Sequence, residues 1–90
     1  MAIVRFTPNL KRFYPDLDEI TVEANTIAEV IHAIDERWEG ISTYIVDEHG
    51  ALRKHVNIFI GEEMLQDKTH LSDAVEADTR IYIMQALSGG

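Results

Sequence analysis

The sequence predicts an α+β roll in which one main helix covers a mixed β-sheet. Several short apolar segments alternate at the two-residue period of a strand, and one segment repeats at the helical period. These elements follow one another in the order β-β-α-β-(β)-β. Two hairpins and a helix that covers one sheet face form such a roll. The 90 residues are expected to form a single domain with a protruding tail at about residues 86–90.

Two strands are predicted before the helix. Residues 2–7 alternate loosely between the two faces of a strand, and a proline follows them. A loop is expected at residues 10–17. The second strand is predicted at residues 18–23, with Ile20 and Val22 on its inner face. We expect the two strands to pair as an antiparallel hairpin with a long connection.

The clearest helix follows these strands. Thr26 stands at the N-cap position, and Glu29 three residues later completes a capping box. Apolar residues at helical spacing predict one buried stripe, formed by Ile27, Val30, Ile31, Ile34 and Trp38. Gly40 is expected at the C′ position that ends the helix. Since a short helix is stabilised mainly by packing, this helix needs a sheet to cover.

The second half of the chain is predicted to complete the sheet. Residues 41–46 fit either a turn of helix or a short strand, and residues 56–60 form a regular strand. A single helical turn is predicted at residues 71–75, and the last strand at residues 79–84. Because a crossover leads from the helix to the next strand, part of the sheet is expected to be parallel. The predicted core contains Val4, Ile31, Ile34, Ile58 and Ile83.

Composition excludes several classes of function. The chain carries a formal net charge of −8, which disfavours nucleic acid as a partner. This charge either draws the domain to a basic partner surface or only keeps it soluble. The sequence contains no cysteine, so disulfides, thiolate metal sites and a cysteine nucleophile are excluded. It has no apolar run long enough for a membrane span and no signal peptide, so we expect a cytoplasmic protein.

The chain ends on Ala86-Leu87-Ser88-Gly89-Gly90, directly after the last predicted strand. Glycine has no Cβ, so a Gly-Gly segment can lie in a narrow groove and adopt backbone angles closed to other residues. The tail therefore suits a protein whose C-terminal carboxylate is the reacting group. A floppy end without a function explains the same residues equally well.

Phe59 is the candidate docking residue outside the tail. If Val56, Ile58 and Ile60 face the helix, Phe59 lies on the outer face of the sheet. An exposed apolar patch on that face would be a protein-docking surface. The alternative is that Phe59 packs under a loop.

Three segments carry a pattern that is shared with known proteins. The first is the end of the capped helix at Trp38-Glu39-Gly40-Ile41. The second is His55-Val56-Asn57-Ile58-Phe59-Ile60 with the following Gly61-Glu62-Glu63-Met64. The third is Ala77-Asp78-Thr79-Arg80-Ile81-Tyr82-Ile83-Met84-Gln85 with the tail. Together these segments resemble the β-grasp, or ubiquitin-like, fold, and within it the MoaD/ThiS family of sulfur carriers. The chain departs from common family patterns at Gly61-Glu62, Ala77-Asp78 and Gln85.

The resemblance implies a carrier protein and not an enzyme. A separate adenylating enzyme of the ubiquitin-activating type would use ATP and magnesium to activate the carboxylate of Gly90. A sulfur donor would convert it to a thiocarboxylate, and a downstream synthase for molybdopterin, thiazole or cysteine would accept the sulfur. Gly89, Ser88, Leu87, Ala86 and Phe59 would contact the partner enzyme, and the carrier itself would need no cofactor or metal.

Two other functions remain open from the sequence. A protein modifier would have the same fold and activation but attach its tail to lysines. An interaction module would never have its tail activated. Metal chemistry has little support, because the Glu29–His32 pair stands alone on one helix and His49, His55 and His70 lack metal-ligand spacing.

Overall fold

A computed structural model describes residues 1–85, so the predictions for residues 86–90 lie outside the described residues. One sheet contains β1 (Ala2–Phe6), β2 (Ile20–Val22), β3 (Val56–Ile60), β4 (Glu63–Met64) and β5 (Arg80–Gln85). The α-helices are α1 (Ile27–Arg37) and α2 (Ser42–Ile45), and a 3-10 helix, Pro8–Arg12, follows β1. The predicted class, a mixed sheet with one main helix, is confirmed.

The strand order in the sheet is β2-β1-β5-β3-β4. β1 pairs antiparallel with β2, as predicted, and parallel with β5. β3 pairs antiparallel with both β4 and β5. The parallel pair was expected at the first strand after the helix, and that expectation is wrong. The last strand instead enters the centre of the sheet, between β1 and β3, and runs parallel to β1.

The first hairpin is shorter than the sequence predicts. β1 ends at Phe6, and β2 spans Ile20–Val22 instead of residues 18–23. The Asp18 carboxylate accepts a hydrogen bond from the Glu19 amide at 2.7 Å, and this local bond keeps the segment before Ile20 out of the ladder. Ile20 packs partly buried against the core, while Val22 is buried.

The N-terminus of α1 is capped much as predicted. The Thr26 hydroxyl accepts from the Glu29 amide at 3.3 Å. The Glu29 carboxylate accepts from the amide of Asn25 at 2.8 Å, one residue before the N-cap, so the return bond of the capping box is shifted by one position.

At its other end, α1 stops one residue earlier than predicted. Trp38 is the C-cap, which makes Glu39 the C′ residue, and Gly40 follows with a φ of 91°. The Trp38 ring is buried and meets Phe6 edge to face, at 5.7 Å between ring centroids. Trp38 has non-helical backbone angles, and its ring packs against the end of β1.

Residues 41–46, which the sequence left open, contain the short helix α2. The helical turn predicted at residues 71–75 is wrong. Leu71 has a φ of 55°, and Ala74 forms an isolated bridge with Thr26. The last strand is shifted by one residue from the prediction.

Asp67 organises the loop that replaces the predicted turn. Its carboxylate accepts hydrogen bonds from the amides of Thr69, His70 and Ser72 and from the Ser72 hydroxyl. These bonds, led by the Ser72 hydroxyl, hold the pKa of Asp67 at about 2. Such side-chain bonds to the backbone compete with helix formation, which explains the failed prediction.

The same loop caps α1 from outside the helix. The carbonyl of Asp73 accepts from the Ile27 amide at 3.1 Å, and that of Leu71 accepts from the Ala28 amide at 2.9 Å. The first amides of a helix have no partner within it. The loop supplies those partners and fixes the helix across the sheet.

The core lies between α1 and the inner face of the sheet. All five predicted core residues are buried, and so is the whole predicted stripe of α1. Leu10 and Leu17, from the connection that was predicted only as a loop, are buried as well.

We expect Ile58→Ala and Ile34→Ala each to lower the free energy of unfolding by about 2–5 kcal/mol, because both side chains are fully buried. Urea denaturation followed by circular dichroism measures this loss. Met64→Ala is the control, since Met64 is 46% exposed and should change stability far less. Unchanged stability in both isoleucine variants would contradict the packing of α1 on the sheet.

None of the helices within residues 1–85 is long and apolar enough to cross a membrane. The cytoplasmic location stays a prediction.

Candidate functional site

β5 ends at Gln85, the residue that directly precedes the tail. Because β5 lies between β1 and β3, its last residue is held from both sides. The amide of Gln85 donates to the Thr7 hydroxyl at 3.2 Å, and the side-chain nitrogen of Gln85 lies 3.5 Å from Nε2 of His55. We call Thr7, His55 and Gln85 the tail root. The root connects the residue before the tail to the residue after β1 and to the residue before β3.

The structure also places Phe59 on the outer face of the sheet, as predicted. Phe59 is half-buried and pairs with Tyr82 on one side and with Met64 on the other. Met84 lies on the same face of β5, opposite Asn57. Tyr82, Met84 and Met64 are exposed to 36%, 37% and 46%. We call Phe59, Met64, Tyr82 and Met84 the outer patch.

Large exposed apolar side chains are concentrated on this face. Among the described residues they are Met1, Phe13, Met64, Tyr82 and Met84, and three of these five belong to the outer patch. Met84 is followed in sequence by Gln85 of the tail root. A protein that binds the patch would therefore contact the point where the tail begins.

Two arginines flank the outer patch despite the acidic chain. The register sets Arg5 of β1 beside Tyr82 and Arg80 of β5 beside Ile3. Arg5 forms an exposed ion pair with Glu19 at 3.4 Å. Aromatic, methionine and arginine side chains are the residue types enriched at protein interfaces. The patch has the composition of a docking surface.

Residues 4–90 match the ThiS family. The chain belongs to the ThiS family. The match extends to Gly90 and so includes both glycines of the tail. No curated protein matches the chain.

Solved structures support the ThiS-family fold. CysO in the BexX/CysO complex of Amycolatopsis orientalis is 21% identical, with full coverage of both chains and a TM-score of 0.85. CysO of Mycobacterium tuberculosis is 21% identical over 97% of this chain and 100% of its own, with a TM-score of 0.83. The small archaeal modifier protein 1 of Methanosarcina acetivorans is 17% identical over 99% of this chain and 95% of its own, with a TM-score of 0.78.

The family and these neighbours confirm the predicted β-grasp, ubiquitin-like fold and the resemblance to the sulfur carriers. The chain is thus a ubiquitin-like protein of the ThiS sulfur-carrier family. Its family is one of small carrier proteins and not of catalysts.

In this ThiS-family chain, Glu29 and His32 each contact a different partner. Glu29 caps α1, as described above, and Nε2 of His32 lies 3.9 Å from a carboxylate oxygen of Glu36 on the exposed helix face. Among the described residues, no group of three or more histidine, cysteine, aspartate or glutamate side chains is arranged to hold a metal ion.

Three histidines border a groove of about 420 Å³ beside α1. They are His32, His49 and His70, and each faces its own carboxylate, on Glu36, Glu48 and Asp67 respectively. The rings are 79–82% exposed. Each imidazole thus has a different carboxylate as its neighbour, and the residues that line the groove do not include those of the tail root.

The sequence analysis found the docking candidate Phe59 but missed two parts of the site. It assigned no role to Thr7, whose buried hydroxyl holds Gln85, and it did not place Met64 beside Phe59. The proline after Thr7 signals that β1 ends there, but no local pattern signals that Thr7 contacts Gln85. The functional roles of Phe59 and of residues 86–90 stay predictions.

Proposed function

We propose that this protein carries sulfur as a thiocarboxylate on Gly90. The observation that carries the proposal is the ThiS-family match that extends to Gly90. An α-carboxyl group has an ordinary pKa of about 3.3–3.7, so the carboxylate is ionised near neutral pH. It is a competent but unactivated nucleophile, and a separate enzyme must activate it.

In the proposed reaction, the Gly90 carboxylate attacks the α-phosphate of ATP on an adenylating enzyme. A new bond joins the carboxylate oxygen to phosphorus, and pyrophosphate leaves. Sulfide then attacks the acyl carbon, and AMP leaves with the oxygen. If a persulfide attacks instead, the product is an acyl disulfide, and a second thiol must cleave its S–S bond to release the thiocarboxylate and a disulfide. The resulting thiocarboxylate gives its sulfur to a synthase of the molybdopterin, thiazole or cysteine type. The carrier is a co-substrate in each step.

Two features of the described residues support this role. The tail root fixes the starting point of the five residues that follow Gln85, which can reach at most about 18 Å from the sheet. The outer patch offers an apolar surface next to that starting point, where an adenylating enzyme would dock. CysO of Amycolatopsis orientalis, a chain of the same fold, is known in complex with another protein, BexX.

The proposal is tested by mass spectrometry. With its adenylating enzyme, ATP, magnesium and a sulfur source, the protein should gain about 16 mass units, the difference between sulfur and oxygen. Omitting ATP should abolish the gain. If the mass does not increase with any adenylating enzyme of the source genome, the carrier role is refuted. An interaction module would then be the remaining hypothesis.

A second candidate is a protein modifier, and the resemblance to small archaeal modifier protein 1 favours it. This function uses the same activation, but the tail would end in an isopeptide bond to a lysine of another protein. Lysine-linked Gly-Gly remnants in peptides digested from cells would identify it. Their absence, together with the mass gain, would favour the carrier.

A further inference from the structure

Thr7 stands out within the otherwise apolar core. Among the side chains that the structure describes, it is the single polar one that is buried, with 8% of its surface exposed. A hydroxyl group is costly to bury unless it is hydrogen-bonded. Its bond to Gln85 connects it directly to the residue that precedes the tail.

The backbone around Thr7 explains why a hydroxyl is needed there. The Thr7 amide donates to the carbonyl of Ile83 at 3.1 Å, which adds a rung to the β1–β5 ladder. The carbonyl of Thr7 instead accepts from the Leu10 amide at 3.2 Å, because the chain turns into the 3-10 helix. The amide of Gln85, two residues after Ile83 on β5, donates to the Thr7 hydroxyl at 3.2 Å. The hydroxyl therefore accepts where a backbone carbonyl would accept if the parallel ladder continued.

We propose that Thr7 is a positioning residue for the reacting tail. By holding the amide of Gln85, it fixes the residue from which the tail starts. This inference rests on the proposed function, since it concerns delivery of Gly90 to an adenylating enzyme. Reacting atoms must approach within about 3–3.5 Å, and small misplacements cost orders of magnitude in rate.

The decisive variant is Thr7→Val, which keeps the shape of the side chain and removes the hydroxyl. Thr79→Val is the matched control, because the Thr79 hydroxyl also accepts a backbone amide, that of Glu76, at 3.2 Å. Thr79 precedes the opposite end of the same strand. Thr7→Ser restores the hydroxyl and should restore every property that the valine variant loses.

The first measurement is amide hydrogen exchange by NMR on the protein alone. In Thr7→Val the Gln85 amide should exchange about tenfold faster, because its hydrogen bond is lost. The amides at the other end of β5 should keep their rates. Thr7→Ser and Thr79→Val should leave Gln85 unchanged. An unchanged Gln85 rate in Thr7→Val would overturn the inference; Thr7→Ala provides the same readout if the valine variant does not fold.

The second measurement is the kinetics of thiocarboxylate formation. Thr7→Val should lower kcat about tenfold and leave KM for the carrier within about twofold, because the outer patch is intact. Thr79→Val should match the unsubstituted protein. If Thr7→Val keeps the original kcat, the positioning role is wrong while the carrier function stands. If the unsubstituted protein gains no sulfur, the proposed function fails. The hydrogen-exchange rate of the Gln85 amide still decides whether Thr7 holds Gln85.

Discussion

A protein extended by one residue beyond Gly90 is expected to gain no sulfur. The added residue removes the carboxylate from the carbon of Gly90 and moves the only main-chain carboxylate away from the ATP phosphate. Because the reacting atoms must meet within about 3–3.5 Å, we expect a rate loss of several orders of magnitude. Mass spectrometry of the carrier after incubation with the adenylating enzyme measures it.

The extended protein provides its own control for folding and docking. The added residue lies outside the described core and outside the outer patch, so the circular dichroism spectrum should be unchanged. The variant should still bind the adenylating enzyme and compete with the unextended carrier. Sulfur on an extended chain that has not been trimmed by a protease would refute the proposed chemistry.

A substitution within the tail tests whether the tail must enter a narrow channel of the adenylating enzyme before Gly90 can react. Gly89→Val should impair activation strongly, because a β-branched side chain blocks a narrow channel and disfavours positive φ. Gly89→Ala adds one methyl group and should have a smaller effect. Equal activity of the three proteins would show that the tail does not pass through a narrow channel.

The strongly periodic elements could be predicted from the sequence because local pattern and tertiary packing agree there. Every apolar residue of the α1 stripe is buried, and the Thr26 cap forms as the sequence indicates. The outward position of Phe59 followed from the alternation in β3. In each case the period of the secondary structure, about 3.6 residues in a helix and two in a strand, determines which side chains face the core.

The sequence-based predictions were wrong where hydrogen bonds between distant segments or unusual backbone angles determine the structure. No local pattern indicates that residues 71–75 give up helical geometry so that Leu71 and Asp73 can cap α1 with their carbonyls. The positive φ of Leu71 is rare for such a side chain and is sustained by the surrounding contacts. The parallel pairing of β1 with β5 joins strands from opposite ends of the chain.

The candidate site was accessible from the sequence only in part. The Gly-Gly ending is visible as a motif, and the ThiS-family match includes it. The tail root is a product of topology, since Thr7 and Gln85 are 78 positions apart and meet because β5 enters the centre of the sheet. A threonine before a proline carries no signal of that meeting.

Phe59→Asp is expected to weaken binding to the adenylating enzyme by about 30-fold or more, because aromatic residues in the centre of an interface contribute about 2 kcal/mol or more. A carboxylate in the middle of the outer patch would have to be buried without a partner in the complex. Isothermal titration calorimetry with the two purified proteins measures the change in Kd.

Phe13→Asp is the matched control for this substitution. Phe13 is 51% exposed and stacks on Tyr44, at 4.5 Å between ring centroids, so the same chemical change is made away from the outer patch. Its Kd should stay close to that of the original protein. Both variants should retain a native circular dichroism spectrum, because neither side chain belongs to the buried core.

A milder substitution on the same face tests whether the loss of affinity in Phe59→Asp is caused by misfolding. Tyr82 pairs with Phe59 across β5 and β3 and is 36% exposed, so Tyr82→Ala removes contact area from the outer patch while the buried residues of β5 are retained. Its affinity should fall in the same direction as that of Phe59→Asp, but by less, since no charge is introduced. If both variants bind like the original protein, the sheet face is not the interface, and the enzyme must recognise the tail and its root alone.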